Sequence, residues 1–221
     1  MNRLHACCIL FISLLLTLSI PSCKKDNNTI VVEGIVNDPN TGIKVEGVTV
    51  VFSSSKITDG VYNSGYQEIS RTTTDAGGNF RFEMEEERTS GYRITLSKTG
   101  YFSVNKDISA DDIKAGTVYS PSFDIYPVGY IKLHVINQNP IDSSDFISYT
   151  FSAGYLGCYE CCDNSMRYGY GETVDDWLKC KTYGNQNVTI TWNVTKAEGS
   201  MQHNAVVYCK ANDTVTYEIY Y

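Results

Sequence analysis

The chain has 221 residues, with 18 Lys and Arg against 25 Asp and Glu, and its formal net charge is −7 at pH 7. This acidic balance disfavours binding to nucleic acid or to an anionic membrane through the protein surface. Tyr is abundant at 17 residues, and no stretch shows a long helical period, so the composition and patterning indicate an all-β protein.

The first 22 residues have the features of a secretory leader. Arg3 makes the start positive, and the apolar run 9–20 is shorter than the about 20 residues that a membrane-spanning helix needs. An uncleaved anchor and a signal peptide without lipid are the two alternatives. The sequence Ile20-Pro21-Ser22-Cys23 resembles a bacterial lipobox. The resemblance implies cleavage before Cys23 and acylation of its thiol, which would anchor the chain in a membrane.

Cleavage at this point removes Arg3 and no acidic residue, so the mature chain of 199 residues has a net charge of −8. Residues 23–29 are polar and form a short tether. The leader resembles those of Bacteroidetes lipoproteins, which implies an outer-membrane location, facing either the periplasm or the cell surface. The remaining length is enough for two small domains.

Residues 30–127 are predicted to form a first β-sandwich. Apolar and polar residues alternate over Phe80–Met84 and over Tyr92–Leu96, which is the period of strands with one solvated face. The sequence Asp75-Ala76-Gly77-Gly78-Asn79 predicts a tight turn. Further strands are predicted at Ile30–Val36, Val48–Phe52 and Val118–Tyr126, with an edge or bulge at Pro121 and a helical turn at Ser109–Gly116.

Three motifs in this half resemble carboxypeptidase regulatory-like domains. They are Val32–Val50 with its two glycine turns, Thr74–Phe80, and Leu96–Tyr101. The resemblance implies a transthyretin-like Greek-key sandwich of about seven strands that acts as a structural or interaction module without catalysis. The segment Ser53–Ser70 is longer than the corresponding link of that family.

Residues 128–221 are predicted to form a second, immunoglobulin-like β-sandwich with an irregular insertion over residues 154–183. Strands are predicted at Ile131–Val135, Ile147–Ala153 and Val188–Val194, followed by a terminal hairpin of Ala205–Lys210 and Thr214–Tyr221. Within the insertion, Thr173–Lys179 predicts a short helix. The alternation directs Trp192 into the core and leaves His134 on a solvated face.

All internal cysteines of the mature chain fall in this half: Cys158, Cys161, Cys162, Cys180 and Cys209. In an exported protein, disulfides are the first interpretation, and they would brace a segment with few apolar residues. Because five is odd, one thiol is left over, and the adjacent Cys161 and Cys162 are expected to take different partners. A structural zinc site and free buried thiols are alternatives. A catalytic thiol is disfavoured, because nothing places the downstream His203 near one.

Aromatic residues of the insertion are the candidates for ligand binding: Tyr155, Tyr159, Tyr168, Tyr170 and Trp177. Exposed on one face, they would stack on sugar rings or form a protein-binding patch, and the alternative is that they fill space beneath the insertion. The sequence contains no nucleophile elbow, zinc-protease helix or nucleotide-binding loop. We therefore expect a non-enzymatic protein without cofactor or metal, which binds or scaffolds at the cell envelope. The alternative is a glycan-binding accessory lipoprotein of a polysaccharide-uptake system.

Overall fold

The computed structural model describes residues 28–58, 61–152 and 161–221. The predicted leader, the lipidation candidate Cys23, and the candidates Tyr155, Cys158 and Tyr159 lie outside these residues. The described chain consists of β-strands and one short 3₁₀ turn, so the all-β prediction is confirmed. In this part of the chain, no helix has the length and apolar character needed to cross a membrane.

The first sandwich is built from eight strands. They are β1 (Thr29–Asn37), β2 (Thr49–Thr58), β3 (Val61–Thr73), β4 (Asn79–Glu85), β5 (Thr89–Ser97), β6 (Val104–Ser109), β7 (Val118–Tyr119) and β8 (Ser122–Asp124). One sheet has the order β4-β1-β7, with β8 also pairing with β1, and the other has the order β3-β2-β5-β6. Strand β1 runs antiparallel to β4 and parallel to β7 and β8. This is the transthyretin-like Greek-key arrangement expected from the sequence.

Strand alternation decides which residues form the core of the first sandwich. Phe80 and Phe82 point inward from β4, whereas Arg81 between them points to solvent and binds Glu33 at 2.7 Å. The ring of Phe52 stacks on Phe82 and on Tyr92, with centroid distances of 5.7 and 5.1 Å. Two strands of one sheet and one of the other therefore meet in a single aromatic cluster.

The turn between β3 and β4 has the geometry that its sequence predicts. The Asp75 carboxylate accepts hydrogen bonds from the backbone N–H groups of Gly77 and Asn79, at 2.9 and 2.8 Å. Gly78 has φ +73°, and a Cβ atom there would lie 2.5 Å from the carbonyl oxygen of Val36. Both the left-handed backbone and the close approach to β1 therefore require glycine.

Three details of the first sandwich refine the sequence predictions. The helical turn is the 3₁₀ segment Ala110–Asp112, which Ser109 caps as expected. The final predicted strand is divided into β7 and β8 at Pro121, which lacks an N–H but whose carbonyl accepts from Ile35 at 3.3 Å. The long segment after Phe52 forms the β2–β3 hairpin, with register shifts within it.

Among the described residues, the second sandwich has seven strands. They are β9 (Val128–Ile136), β10 (Phe146–Ser152), β11 (Arg167–Tyr170), β12 (Asp175–Tyr183), β13 (Gln186–Lys196), β14 (Gly199–Cys209) and β15 (Thr214–Tyr220). The sheet orders are β12-β9-β15 and β11-β10-β13-β14, and the first strand β9 runs parallel to the last strand β15. This repeats the connectivity of the first sandwich. An immunoglobulin domain divides its strands differently, with the first, second, fourth and fifth in one sheet.

Two predictions for this half are wrong. Residues 173–179 do not form a helix, because Leu178, Cys180 and Thr182 alternate inward from β12 along its pairing with β9. The terminal hairpin is also absent. Strand β14 pairs with β13, and the turn at Asn212 carries the chain across to the other sheet, where β15 pairs with β9. The predicted irregular insertion thus contains two regular strands, β11 and β12.

The two sandwiches meet at a junction of aromatic rings. The Tyr183 ring stacks on Tyr126 at a centroid distance of 4.0 Å and meets Phe102 edge-on at 5.3 Å. Gly100, with φ +80°, leaves room for Asn212, whose Oδ1 would lie 2.1 Å from a Cβ at that position. Ring stacking and close backbone approach together give this junction a defined packing.

Hydrogen bonds reinforce the junction. The buried carboxylate of Asp38 accepts from the side-chain amide of Asn185 at 2.9 Å, and the Asn40 amide donates to the carbonyl of Gly184 at 2.9 Å. On the other side, the backbone N–H of Val128 donates to the carbonyl of Gly100 at 2.8 Å. Residues of both sandwiches therefore share one polar network.

Candidate functional site

The outer face of the sheet β11-β10-β13-β14 carries no charged side chain among its described positions, and we call it the neutral face. The inward positions Ile147, Ile190 and Val207 are buried, so their sequence neighbours point outward. The outward residues are Phe146, Ser148, Thr150, Tyr168, Tyr170, Asn187, Thr189, Thr191, Asn193, Thr195, Ser200, Gln202, Asn204, Val206 and Tyr208. They form a surface of about 15 by 30 Å that offers hydroxyl, amide and aromatic groups, together with the aliphatic side chain of Val206.

One edge of the neutral face is aromatic. Tyr168 and Tyr170 of β11 are 55% and 70% exposed, and Phe146 of β10 pairs with Tyr170. The centroid of Phe146 is 6.0 Å from Tyr168 and 5.0 Å from Tyr170. Gly169 between the two tyrosines points inward against Ile147 and Val174, which holds β11 close to the sheet. The structure thus brings two sequence-predicted ligand residues together.

Trp177 does not belong to this cluster. It projects from β12 on the opposite sheet, where its indole ring stacks on His134 at a centroid distance of 3.7 Å and Lys132 Nζ lies 4.0 Å over the ring. His134 is covered as a result, with 12% of its side chain exposed, and its Nε2 contacts Asp175 at 2.7 Å. His134 therefore lies on the outer side of its sheet, as predicted, but the neighbouring indole covers most of its side chain.

Trp192 points inward and packs against the second core, as predicted, but it lies at the margin of that core and is only half-buried. Its side chain points inward from β13 but stacks on His203 at 5.5 Å and borders a cleft of about 610 Å³. Strands β13 and β14 have 11 residues each, whereas β9 and β12 of the opposite sheet have nine and β15 has seven. The strand period therefore predicts the direction of the Trp192 side chain but not the exposed fraction of that side chain.

A buried polar network closes the same end of the sandwich. Asp145 is 1% exposed, and its Oδ2 accepts from the amide of Asn137 at 2.8 Å and from the backbone N–H of Ile141 at 2.9 Å. These hydrogen bonds, with the nearby ammonium of Lys196, hold the pKa of Asp145 below its usual value. The Lys196 Nζ donates to the Asn137 side chain at 2.9 Å and lies 3.5 Å from the carboxylate. The network fixes the loop between β9 and β10.

The disulfide candidates have different structural states. Cys162 and Cys180 are joined by a disulfide, which ties the segment before β11 to β12. Cys161 is also disulfide-bonded. Cys209 carries the free thiol in the described chain, buried within the core, so this candidate is not a disulfide partner. Within residues 28–58, 61–152 and 161–221, no three His, Cys, Asp or Glu side chains are grouped to hold a metal ion.

Sequence reasoning missed the neutral face, although a signal for it was present. Reading every second residue of β13 from Asn187 and of β14 from Ser200 gives ten positions without a charge. The residues between them are mostly apolar, and Lys196 and His203 are the exceptions. The same alternation that predicts the core residues of these strands therefore also predicts an uncharged outer face.

No protein-family model matches the chain, and neither does any curated protein sequence. Among solved structures, the chain is similar to the Bacillus anthracis TIE protein (12% identity, TM-score 0.36), covering 87% of this chain and 34% of that protein. It is similar to a streptococcal ancillary pilin (14%, TM-score 0.35), covering 89% of this chain and 64% of the pilin. It is also similar to a shaft pilin of Lactobacillus rhamnosus GG (10%, TM-score 0.33), covering 87% and 96%.

These solved structures are largely all-β domains of pilins. A 3-chlorocatechol 1,2-dioxygenase from Rhodococcus opacus 1CP is also similar, at 14% identity and a TM-score of 0.34, over 47% of this chain and 61% of that enzyme. The chain therefore spans about a third of the TIE protein and less than two thirds of the ancillary pilin. At these identities and TM-scores the likenesses carry no family or functional inference.

The disulfide Cys162–Cys180 closes a loop of the second sandwich, and we expect it to stabilise the fold. Cys162 and Cys180 are 18 residues apart, and in the chain-entropy model a closed loop of this size stabilises the folded state by about 3 kcal/mol. We expect Cys162→Ala/Cys180→Ala to lower the free energy of unfolding in urea by about this amount. Retention of the full stability in the double variant would contradict the prediction.

The Cys209 thiol is protected by the core. Burial raises its pKa to about 11, so at pH 8 only about one molecule in a thousand carries the reactive thiolate. We expect iodoacetamide at pH 8 to leave Cys209 unmodified in the native chain and to alkylate it in 6 M guanidinium chloride. Peptide mass spectrometry measures both states, and rapid labelling of the native chain would contradict the burial.

Proposed function

We propose that the chain is a non-enzymatic binding module, held at the cell envelope by a lipid on Cys23, that presents the neutral face of its second sandwich to a ligand. The observation that carries the proposal is the neutral face itself. The whole chain has a net charge of −7, yet fifteen outward residues of one sheet include no charge. Charged residues normally occupy much of a solvated surface, so their exclusion from one face indicates a surface adapted to contact.

A glycan-binding accessory role is the second candidate, and the chemistry of the neutral face favours it. Hydroxyl and amide groups of Thr191, Asn193 and Gln202 can hydrogen-bond to sugar hydroxyls, and Tyr168 and Tyr170 can stack on the apolar faces of sugar rings. A neutral polysaccharide satisfies these groups without needing an ion pair. An envelope protein remains the other partner class under this proposal.

Membership of the carboxypeptidase regulatory-like family is part of the proposal. Its support is the position of the resembling motifs: Val32–Val50 spans β1 and the start of β2, Thr74–Phe80 is the glycine turn before β4, and Leu96–Tyr101 is the corner after β5. Each motif therefore lies at a backbone position with a defined structural role. Membership of this family would imply a role in binding or scaffolding, which is consistent with a non-enzymatic protein.

The aromatic edge provides the test for ligand binding. We expect Tyr168→Ala/Tyr170→Ala to weaken binding to neutral polysaccharide at least tenfold, which is about 1.4 kcal/mol, because both stacking surfaces are removed. Affinity electrophoresis against neutral glucan, mannan and xylan, with polygalacturonate as the acidic comparison, measures it.

Trp177→Ala is the matched control, since Trp177 is 51% exposed on the opposite sheet. The glycan candidate predicts that this variant binds like the unaltered chain. Absence of binding to every neutral polysaccharide, or equal losses in the two variants, would contradict the glycan candidate and favour a protein partner for the same face.

The anchor has its own test. We expect Cys23→Ala to move the chain from the membrane fraction to the soluble fraction, because the acylated thiol is the proposed attachment. Cell fractionation and intact mass measure the change, and Cys209→Ala serves as the control that leaves the attachment unaltered. If Cys23→Ala stays in the membrane fraction, lipid anchoring is wrong, whereas the neutral face is unaffected by that outcome.

A further inference from the structure

Strand β14 is an edge strand with an unusual sequence. It has 11 residues, Gly199–Cys209, and none of them is Lys, Arg, Asp, Glu or Pro. It pairs with β13 over eleven consecutive positions without a bulge. Within the residues that the structure describes, no strand pairs with its other edge.

Proteins usually protect an exposed sheet edge from pairing with other chains by charges, proline, bulges or very short strands. The other longer edge strands among the described residues follow that rule, with Glu68 and Arg71 in β3, Arg81 in β4, Lys106 in β6, Asp176 in β12, and Glu218 in β15. Strand β11 has four residues, and β7 has two. Strand β14 is long, regular and uncharged, so it has none of these protections.

We propose that β14 pairs with β14 of a second copy of this chain, antiparallel about a twofold axis. Two acidic chains repel each other over most of their surfaces, and β14 is an edge where two copies approach without like charges. Antiparallel self-pairing presents the same surface on both partners, as a twofold interface requires. It also satisfies the backbone N–H and C=O groups on the free edge.

The exposed apolar side chains on this strand support the same arrangement. Val206 and Tyr208 are 63% and 56% exposed on the outer face, and Met201 is 64% exposed on the inner side. Antiparallel pairing brings the Met201 end of one strand beside the Val207 end of the other. The pairing would join two four-stranded sheets into one of eight strands, with the neutral faces continuous across the axis.

Cysteine cross-linking of the full chain in intact cells tests the proposal. Gln202→Cys, Asn204→Cys and Val206→Cys each place a thiol on the exposed outer side of β14, where the original side chains are not packed in the core. We expect at least one of them to form a covalent dimer of twice the chain mass under mild oxidation. Thr191→Cys is the matched control, on the same face but one strand in from the edge, and we expect no dimer from it.

A charge at the edge should remove the dimer. We expect Asn204→Lys/Val206→Lys, combined with Gln202→Cys, to reduce the cross-linked product at least tenfold, whereas Thr191→Lys combined with Gln202→Cys leaves it unchanged. Three outcomes would overturn the proposal: no cross-link at any β14 position, equal cross-linking from Thr191→Cys, or a product of a mass other than twice that of the chain. A retained Cys162–Cys180 disulfide in peptide maps verifies that each variant has folded.

Discussion

The parallel pairing of the first strand with the last is the constraint on which both sandwiches depend. In the first sandwich β1 pairs with β7 and β8, and in the second β9 pairs with β15 over seven positions. Because the last strand pairs with the first strand, it lies in a different sheet from the long strand that precedes it in sequence. In the second sandwich this leaves β14 at the edge of its sheet, and the turn at Asn212 must carry the chain from one sheet to the other.

This division of strands also separates the surfaces of the second sandwich by chemistry. The β12-β9-β15 sheet carries lysines, carboxylates, His134 and Trp177 on its outer side, with Lys132 and Lys179 placed over aromatic rings. The β11-β10-β13-β14 sheet carries only neutral groups on its outer side. The two sheets therefore present chemically different outer surfaces. The neutral face is the more complementary of the two to an uncharged ligand.

The sequence predicted those parts of the fold that depend on local alternation and turn chemistry. The strand at Phe80–Met84 and the turn at Asp75–Asn79 follow from residues close in sequence, and both are present. The helix over Thr173–Lys179 was wrong because its capping residue and acids also suit an edge strand, and pairing with β9 decided the outcome. Propensity is a weak guide where long-range pairing competes with it.

The candidate site, like the fold, could be predicted only in part from local sequence. The exposed Tyr168 and Tyr170 were among the predicted ligand residues, but which residues share a face depends on register between strands far apart in sequence. Phe146 and Tyr170 become neighbours through a pairing across more than twenty residues. Composition identified the aromatic residues, and only the sheet order separated Trp177 from the tyrosines.

The adjacent, parallel first and last strands have a mechanical consequence. Tension between the start of β9 and the end of β15 pulls two neighbouring strands in opposite directions along their length, and their paired positions from Thr214–Tyr130 to Tyr220–Ile136 share the load. Hydrogen bonds loaded in shear must break together, whereas those of a hairpin pulled open at its ends break one at a time. A chain that is anchored at one end and pulled at the other would therefore resist unfolding most strongly at the pairing of the first and last strands of each sandwich.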